Sequence, residues 1–441
     1  MDRDERMATA GLVAAVLLGF VLRVVVAGDV AFSPADEGRY LAMATAVAEG
    51  GTAAFHGLVE QTLASPALWL FPTPLRYGHV LLAALACKLH GGPSFEALAE
   101  LSTAAGMLTV VLTGWLGLRV AGPRIGAFAA FVMACSPLAL ALGRRALQDA
   151  VVVAAASLVL VLVVELRREA RLAGPRAWGL ALGVSLASAL LVASKETSLF
   201  LLVALTIDAA VEAARDRSVA WRLAPLLAGP LLAFAGFLVW VGNASEWRAL
   251  VDLATRSADG AYVRAYMAGP PHRVLVDLLV LAPVASLLAI VGAAAPRGAG
   301  PEEPAFRLVK SFLLAGLVAA ACLPKNVRFT AALEPALAVV AAQGLASLAA
   351  SAESAWRRTV VTLLPLAGIG LGSWLLFARV FLERGVYDPT TADLLMALDA
   401  VPHGGAMAPG TVDAPAAAIV VVAVSLALSL GVRASRAQEP R

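Results

Sequence analysis

The run Asp36-Glu37-Gly38-Arg39-Tyr40 gathers two carboxylates, a guanidinium and a phenol into five residues, close behind the first apolar stretch of the chain. A carboxylate pair held at a membrane surface can take a proton from an attacking hydroxyl or amine. Arg144, Arg145 and Asp149 follow the dipeptide Ser136-Pro137, and further bases stand at Lys195, Lys325 and Arg328. Carboxylates that move a proton and cations that hold developing negative charge are the two halves of a group transfer with an anionic leaving group. Each residue also has a plainer reading. Ser33, Pro34, Asp36 and Glu37 fit a helix start, with a capping serine, proline at the first helical position and acids in the first turn. Asp149 can equally be the N-terminal acid of the next helix, and bases at helix ends commonly snorkel to the interface.

The elements that must position these groups are set by composition. Of 441 residues, 60% are apolar and 15% charged, and the mean hydropathy is +0.82. A soluble domain carries about a quarter charged residues, so an ordinary soluble enzyme is excluded. The apolar stretches are long and uniform, which predicts membrane-crossing helices rather than the alternating, shorter strands of a barrel. The expected fold class is all-α and polytopic, with about twelve transmembrane helices at 8–27, 97–118, 125–142, 150–166, 177–194, 197–214, 223–242, 274–294, 308–324, 333–350, 358–380 and 415–432. The first of these resembles a signal peptide but lacks a cleavage site, so it reads as a retained helix. Segment 76–90 is too short and too polar to span, and is expected to lie at the interface. A short amphipathic helix is likewise expected beyond Asp36.

The positive-inside rule orients the bundle. With 76–90 left out of the count, both termini face the cytoplasm and the Arg-rich connectors, among them ELRREARLAGPR, fall inside. The longer polar loops 28–96, 243–273 and 381–414 then lie outside, together with the acids and bases singled out above. The net charge of +3 points to no nucleic acid. Three cysteines, Cys87, Cys135 and Cys322, are too few and too scattered for a disulfide framework or a zinc site. The histidines His56, His79, His90, His272 and His403 form no metal-binding pair and read as scattered surface residues.

The order of these features resembles the GT-C superfamily of membrane glycosyltransferases, in the dolichyl-phosphate-mannose–protein mannosyltransferase-like branch (family 39-like). The match runs from Asp36-Glu37-Gly38-Arg39-Tyr40 through the proline-containing stretch FPTPLRYGHVLLAALACKLHGG and the basic turn Leu118 to Arg124. It continues through Ser136-Pro137, Arg144, Arg145 and Asp149, then Lys195 in ASKETS, and ends at Arg328-Phe329. It covers residues 1 to about 350, implying a catalytic module over 1–350 and a C-terminal pair of helices with loop 381–414 over 351–441. Phe329 stands where the family often has tyrosine, and the commoner Lys-Pro-Pro element is absent.

The resemblance implies that Asp36 is the main catalytic carboxylate, with Glu37 beside it and Asp149 assisting. Arg39, Tyr40, Arg144, Arg145, Lys195, Lys325 and Arg328 are then the substrate- and phosphate-binding candidates. An inverting sugar transfer needs one base and no strong acid when a phosphate leaves. No phosphate-cradling glycine loop is present, so an outward site implies a sugar carried on a polyprenyl phosphate. The implied partners are that donor, membrane lipids, and an acceptor that is a protein, a glycolipid or a polysaccharide. The implied setting is the plasma (inner) membrane, serving the cell envelope. No cofactor is required; a divalent metal is compatible. The outer loops 243–273 and 381–414 are candidates to cover the site, the latter with a helix start at Asp388-Pro389. The rival readings are a transporter or flippase for a lipid-linked or anionic substrate, and a noncatalytic GT-C-like subunit.

Overall fold

The computed structural model describes residues 3–25, 32, 35–169, 174–241, 243–258, 270–295, 303–323 and 326–377. The expected span 415–432, loop 381–414 with Asp388-Pro389, and Ser33, Pro34 and Lys325 lie outside the described residues. Everything described is helix or short connector. In chain order the helices are α1 (Arg3–Phe20), α2 (Asp36–Ala64), α3 (Tyr77–His90), α4 (Phe95–Ala121), α5 (Pro123–Cys135), α6 (Pro137–Leu142), α7 (Asp149–Arg167) and α8 (Pro175–Ser194). They continue with α9 (Leu199–Arg215), α10 (Leu223–Val241), α11 (Ala244–Ala258), α12 (Arg273–Leu281), α13 (Pro283–Ala294), α14 (Glu303–Cys322), α15 (Glu334–Ser351) and α16 (Ala355–Leu376). Among the described residues, eight helices are long and apolar enough to cross a membrane, or nine if α12 and α13 form one bent span.

Several expected spans are interrupted, each for a local reason. Stretch 125–142 breaks at Ser136, because Pro137 cannot donate to the turn before it. Ser136 instead caps α6 through its hydroxyl, which also donates to Glu334 on α15 at 2.8 Å. Stretch 274–294 is bent by 115° between α12 and α13, again just ahead of a proline, Pro283. Helix α2 starts at Asp36 with no side-chain cap on Ala35 and runs 29 residues, far beyond a short surface helix. Gly51 kinks it, with a φ of 61° that favours glycine. Segment 76–90 forms the 14-residue α3, which packs on α2, α4 and α8.

Helices α7 and α15 are the axis of the bundle. Their apolar windows are 89% and 78% buried, against 28–56% for the other long helices. Helix α7 lies against α4 and α8, and α15 against α5 and α13. Small residues allow the last contact: a Cβ on Gly344 would fall 1.9 Å from the Leu288 carbonyl oxygen, and one on Gly292 2.0 Å from that of Val340. At the ends predicted to face inward, Arg119 pairs with Glu165 and Arg167 with Asp208. Arg222 donates to the carbonyl of Arg167, the last residue of α7, at 3.0 Å and to that of Glu169 just beyond it at 2.7 Å. Just after α1, Arg23 sits in the π-helical turn Val21–Val25, buried, and donates to the carbonyl of Gly19 at 3.2 Å. The opposite ends of α7, α8 and α15 carry the chemistry.

Candidate active site

Asp149 is the first residue of α7. Lys195 lies in the break between α8 and α9, followed by the 3-10 turn Glu196–Ser198. Arg328 lies in the 3-10 turn Val327–Leu333 that leads into α15. These three ends converge. The Lys195 ammonium donates to Asp149 Oδ1 at 2.7 Å. Arg328 reaches Asp149 Oδ2 through Nη2 at 3.2 Å and Asp36 Oδ2 through Nη1 at 3.3 Å. One guanidinium thus bridges two carboxylates that are far apart in sequence. Asp149, Lys195 and Arg328 are buried, whereas the Asp36 side chain is 25% exposed and is the more open of the two carboxylates. Phe329 adds its ring face 4.5 Å below the Lys195 ammonium.

Beside this cluster is a recess whose polar end is Asp149, Lys195 and Arg328 and whose walls are apolar, with Val153, Phe200 and Ala319 from three different helices. Phe200, at its rim, is exposed. Burial pushes the Lys195 ammonium below its usual value, with Arg328 and Arg76 acting the same way and Asp149 opposing them.

The other predicted site residues divide into two groups. Glu37 is fully buried and accepts two hydrogen bonds from Arg145, at 2.9 and 2.5 Å, and one from the Ala146 backbone at 2.8 Å. Its carboxylate is engaged in joining α2 to the segment before α7, while Asp36 one residue earlier faces Arg328. Tyr40, one helical turn on, is buried and accepts from Arg76 Nη1 at 2.9 Å; burial foremost raises its phenol well above the usual range. Arg39 turns the other way and donates to Thr62 at 2.8 Å within the kinked helix. Arg144 stands over the Phe377 ring at 5.7 Å, apart from its neighbour Arg145. In the segment 243–273, expected to lie outside, Trp247 packs edge-on against Phe237 at 4.9 Å, so its ring serves as a packing contact in the aromatic cluster.

Three residues at the site were not singled out from sequence. Arg76 makes a bidentate pair with Glu196, at 3.0 and 2.9 Å, while its third nitrogen holds Tyr40. It therefore ties the helix bearing Asp36 to the turn bearing Lys195. The adjacency of Glu196 to Lys195 was the available signal, but its partner lies 120 residues away. His79, expected at the surface, is fully buried on α3 with its ring edge-on to Tyr40 at 4.8 Å. Burial pushes its imidazole down to about 3, so it is neutral.

Among the described residues, no three His, Cys, Asp or Glu side chains converge as a metal site. Asp36 and Asp149 would have to release Arg328 to share a divalent ion.

No protein-family model and no curated protein matches the chain. Solved structures do. ArnT from Cupriavidus metallidurans bound to undecaprenyl phosphate matches with a TM-score of 0.54 and 17% identity over 97% of this chain and 78% of that one. The same protein in its apo state matches with a TM-score of 0.52 over 96% and 75%. An oligosaccharyltransferase from Archaeoglobus fulgidus, tethered to an acceptor peptide, matches with a TM-score of 0.51 and 14% identity over 95% of this chain. This chain spans just over half, 55%, of that protein. A second structure of that oligosaccharyltransferase is a complex with Zn and sulfate. The likeness is one of fold, and it does not single out the protein-mannosyltransferase branch. The chain is a polytopic, all-α membrane protein with the GT-C fold.

Proposed function

We propose that the protein is an inverting glycosyltransferase that moves a sugar from a polyprenyl-phosphate carrier to an acceptor at the outer face of the plasma membrane. The observation that carries this reading is the pair of cations, Lys195 and Arg328, held by Asp149 at the head of an apolar recess with Asp36 alongside. The solved neighbour bound to undecaprenyl phosphate supports the same class of lipid.

In this reading the donor phosphate enters the recess and draws Lys195 and Arg328 toward it. Asp36, released from Arg328, takes the proton of the acceptor hydroxyl or amine. The acceptor atom bonds to the anomeric carbon from the face opposite the phosphate, and the bond from that carbon to the phosphate oxygen breaks. The electron pair leaves with the polyprenyl phosphate, whose growing charge the two cations hold. A single displacement of this kind inverts the anomeric centre. Asp149 keeps both cations in place, and Glu37 and Arg145 fix the helix that presents Asp36. All of these residues precede position 350, which supports a catalytic module over 1–350. The Arg-rich ends of α4, α7 and α9 support cytoplasmic placement of the opposite face.

The test is transfer from a panel of radiolabelled polyprenyl-phosphate sugars in membranes holding wild-type protein or Asp36→Asn. Label moved by the wild type and lost in the variant is expected. Turnover of a soluble nucleotide sugar in its place refutes the donor class. A carrier lipid redistributed across the membrane by both proteins, with no transfer, favours a flippase.

A further inference from the structure

The recess headed by Asp149, Lys195 and Arg328 has two more polar side chains in its lining. Among the described residues these are the hydroxyl-bearing Thr197 and Ser198. Both belong to the 3-10 turn Glu196–Ser198, which follows Lys195 and runs straight into α9. The Ser198 amide closes that turn by donating to the Lys195 carbonyl at 2.9 Å. One tight piece of backbone therefore presents the ammonium and both hydroxyl side chains to the same cavity. Ser198 is buried and Thr197 half-buried. A serine just ahead of a helix commonly caps it through its hydroxyl, but Ser198 makes no such bond to α9. Holding the helix start does not account for it.

The charges around the recess say what these hydroxyls would add. Its ionic lining is two cations and one carboxylate, a net of one positive charge. That balances a phosphodiester, which carries a single negative charge. Once the sugar has left, the phosphate is a monoester, and its charge at neutral pH grows to about −1.5 to −2. The extra charge exceeds what the cations neutralise, and Asp149 already takes up part of their donor capacity. A hydroxyl can donate to an oxyanion without adding charge to the resting site. The N-terminal end of the helix that begins here favours negative charge at the same place. Resting on the transfer reaction proposed above, we infer that Thr197 and Ser198 are contacts to the donor phosphate, donating their hydroxyl hydrogens to its oxygens as the sugar departs.

The experiment compares the full-length protein with Thr197→Val and Ser198→Ala. Three readouts are taken: kcat/KM for the polyprenyl-phosphate sugar, inhibition by sugar-free polyprenyl phosphate, and inhibition by the neutral polyprenol of the same length. Each variant is expected to raise the inhibition constant of polyprenyl phosphate about 10-fold, the scale of one hydrogen bond to a charged group, and to lower kcat/KM by a similar factor. Polyprenol, which has no phosphate, is expected to inhibit all three proteins equally, and so reports that the fold and the apolar walls are intact. Thr197→Ser and Ser198→Thr keep the hydroxyl and are expected to restore most of the affinity for polyprenyl phosphate. Equal weakening of polyprenol would overturn the inference in favour of a packing role. An inhibition constant for polyprenyl phosphate that neither variant changes would overturn it as well. A wild-type protein that neither transfers from nor binds any lipid-linked sugar refutes the reaction itself, a result seen before any variant is made.

Discussion

Glu37 and Asp36 are neighbours in sequence, and the structure gives them different work; a double-mutant cycle on Glu37 and Arg145 tests this. The Glu37 side chain is 0% exposed and that of Arg145 9%, and three hydrogen bonds converge on the one carboxylate. Removing Glu37 alone, as Glu37→Ala, strands a buried guanidinium and an amide, a loss of about 3–5 kcal/mol for breaking a buried pair. Arg145→Met strands the carboxylate and costs a similar amount. The double variant removes both members of the pair, so it is expected to lose about 2–3 kcal/mol less than the sum of the two. The measurement is apparent stability in mixed detergent micelles, read as the denaturing-detergent fraction at half unfolding, with transfer activity followed in parallel. Additivity within about 0.5 kcal/mol would refute the pairing as a unit. A Glu37→Gln protein of wild-type stability but without transfer would refute the positioning role and make Glu37 a participant in the chemistry.

Further expectations follow from the same geometry. Arg328→Met should lower transfer about 100-fold or more, the scale of losing a preorganised charge contact, while Arg328→Lys, able to meet only one of Asp36 and Asp149 well, should fall between; equal rates in all three proteins would exclude the bridge from the mechanism. The Lys195 ammonium is pushed down by its burial, so transfer should decline on the alkaline side at a lower pH than an ordinary lysine at about 10.4 would give. In Lys195→Arg that alkaline decline should vanish, because guanidinium does not titrate there, and a profile unmoved by the substitution would assign the limb elsewhere. Glu196→Gln should leave Arg76 able to hold Tyr40 but weaken its hold on the Lys195 turn, raising the donor KM several-fold with folding intact by size-exclusion. Gly344→Ala should drive α13 and α15 apart, since its Cβ meets backbone rather than a movable side chain; loss of monodisperse protein is expected, and wild-type yield would contradict the close contact.

The sequence exposed the spans better than the joints. Uniform apolar runs placed α4, α7, α8, α9 and α10 within a few residues of their observed ends, because a bilayer core demands such lengths. It concealed the breaks at Ser136 and ahead of Pro283, because a hydropathy count averages over a proline that local hydrogen bonding cannot ignore. Asp36 was legible from its place behind the first apolar stretch, whereas Asp149, Lys195 and Arg328 were legible through the family resemblance that singled them out. Their pairings were not. Glu37 meets Arg145 across 108 residues and Asp36 meets Arg328 across 292, and no local pattern encodes a partner at that distance. His79 was misplaced for a related reason: its burial depends on α2 and α8 closing around α3, which the local segment does not reveal.

That last separation sets a timetable for the ribosome. Synthesis at about 5–20 residues per second delivers Arg145 roughly 5–20 s after Glu37, but Arg328 only roughly 15–60 s after Asp36, given the 292 residues between them. The clasp on α2 can therefore form while the chain is still being made, whereas the bridge between Asp36 and Asp149 must wait until most helices have been inserted. A growing chain holds α2 in place long before Asp36 can meet Arg328, and one released short of α15 would carry the clasp without the bridge.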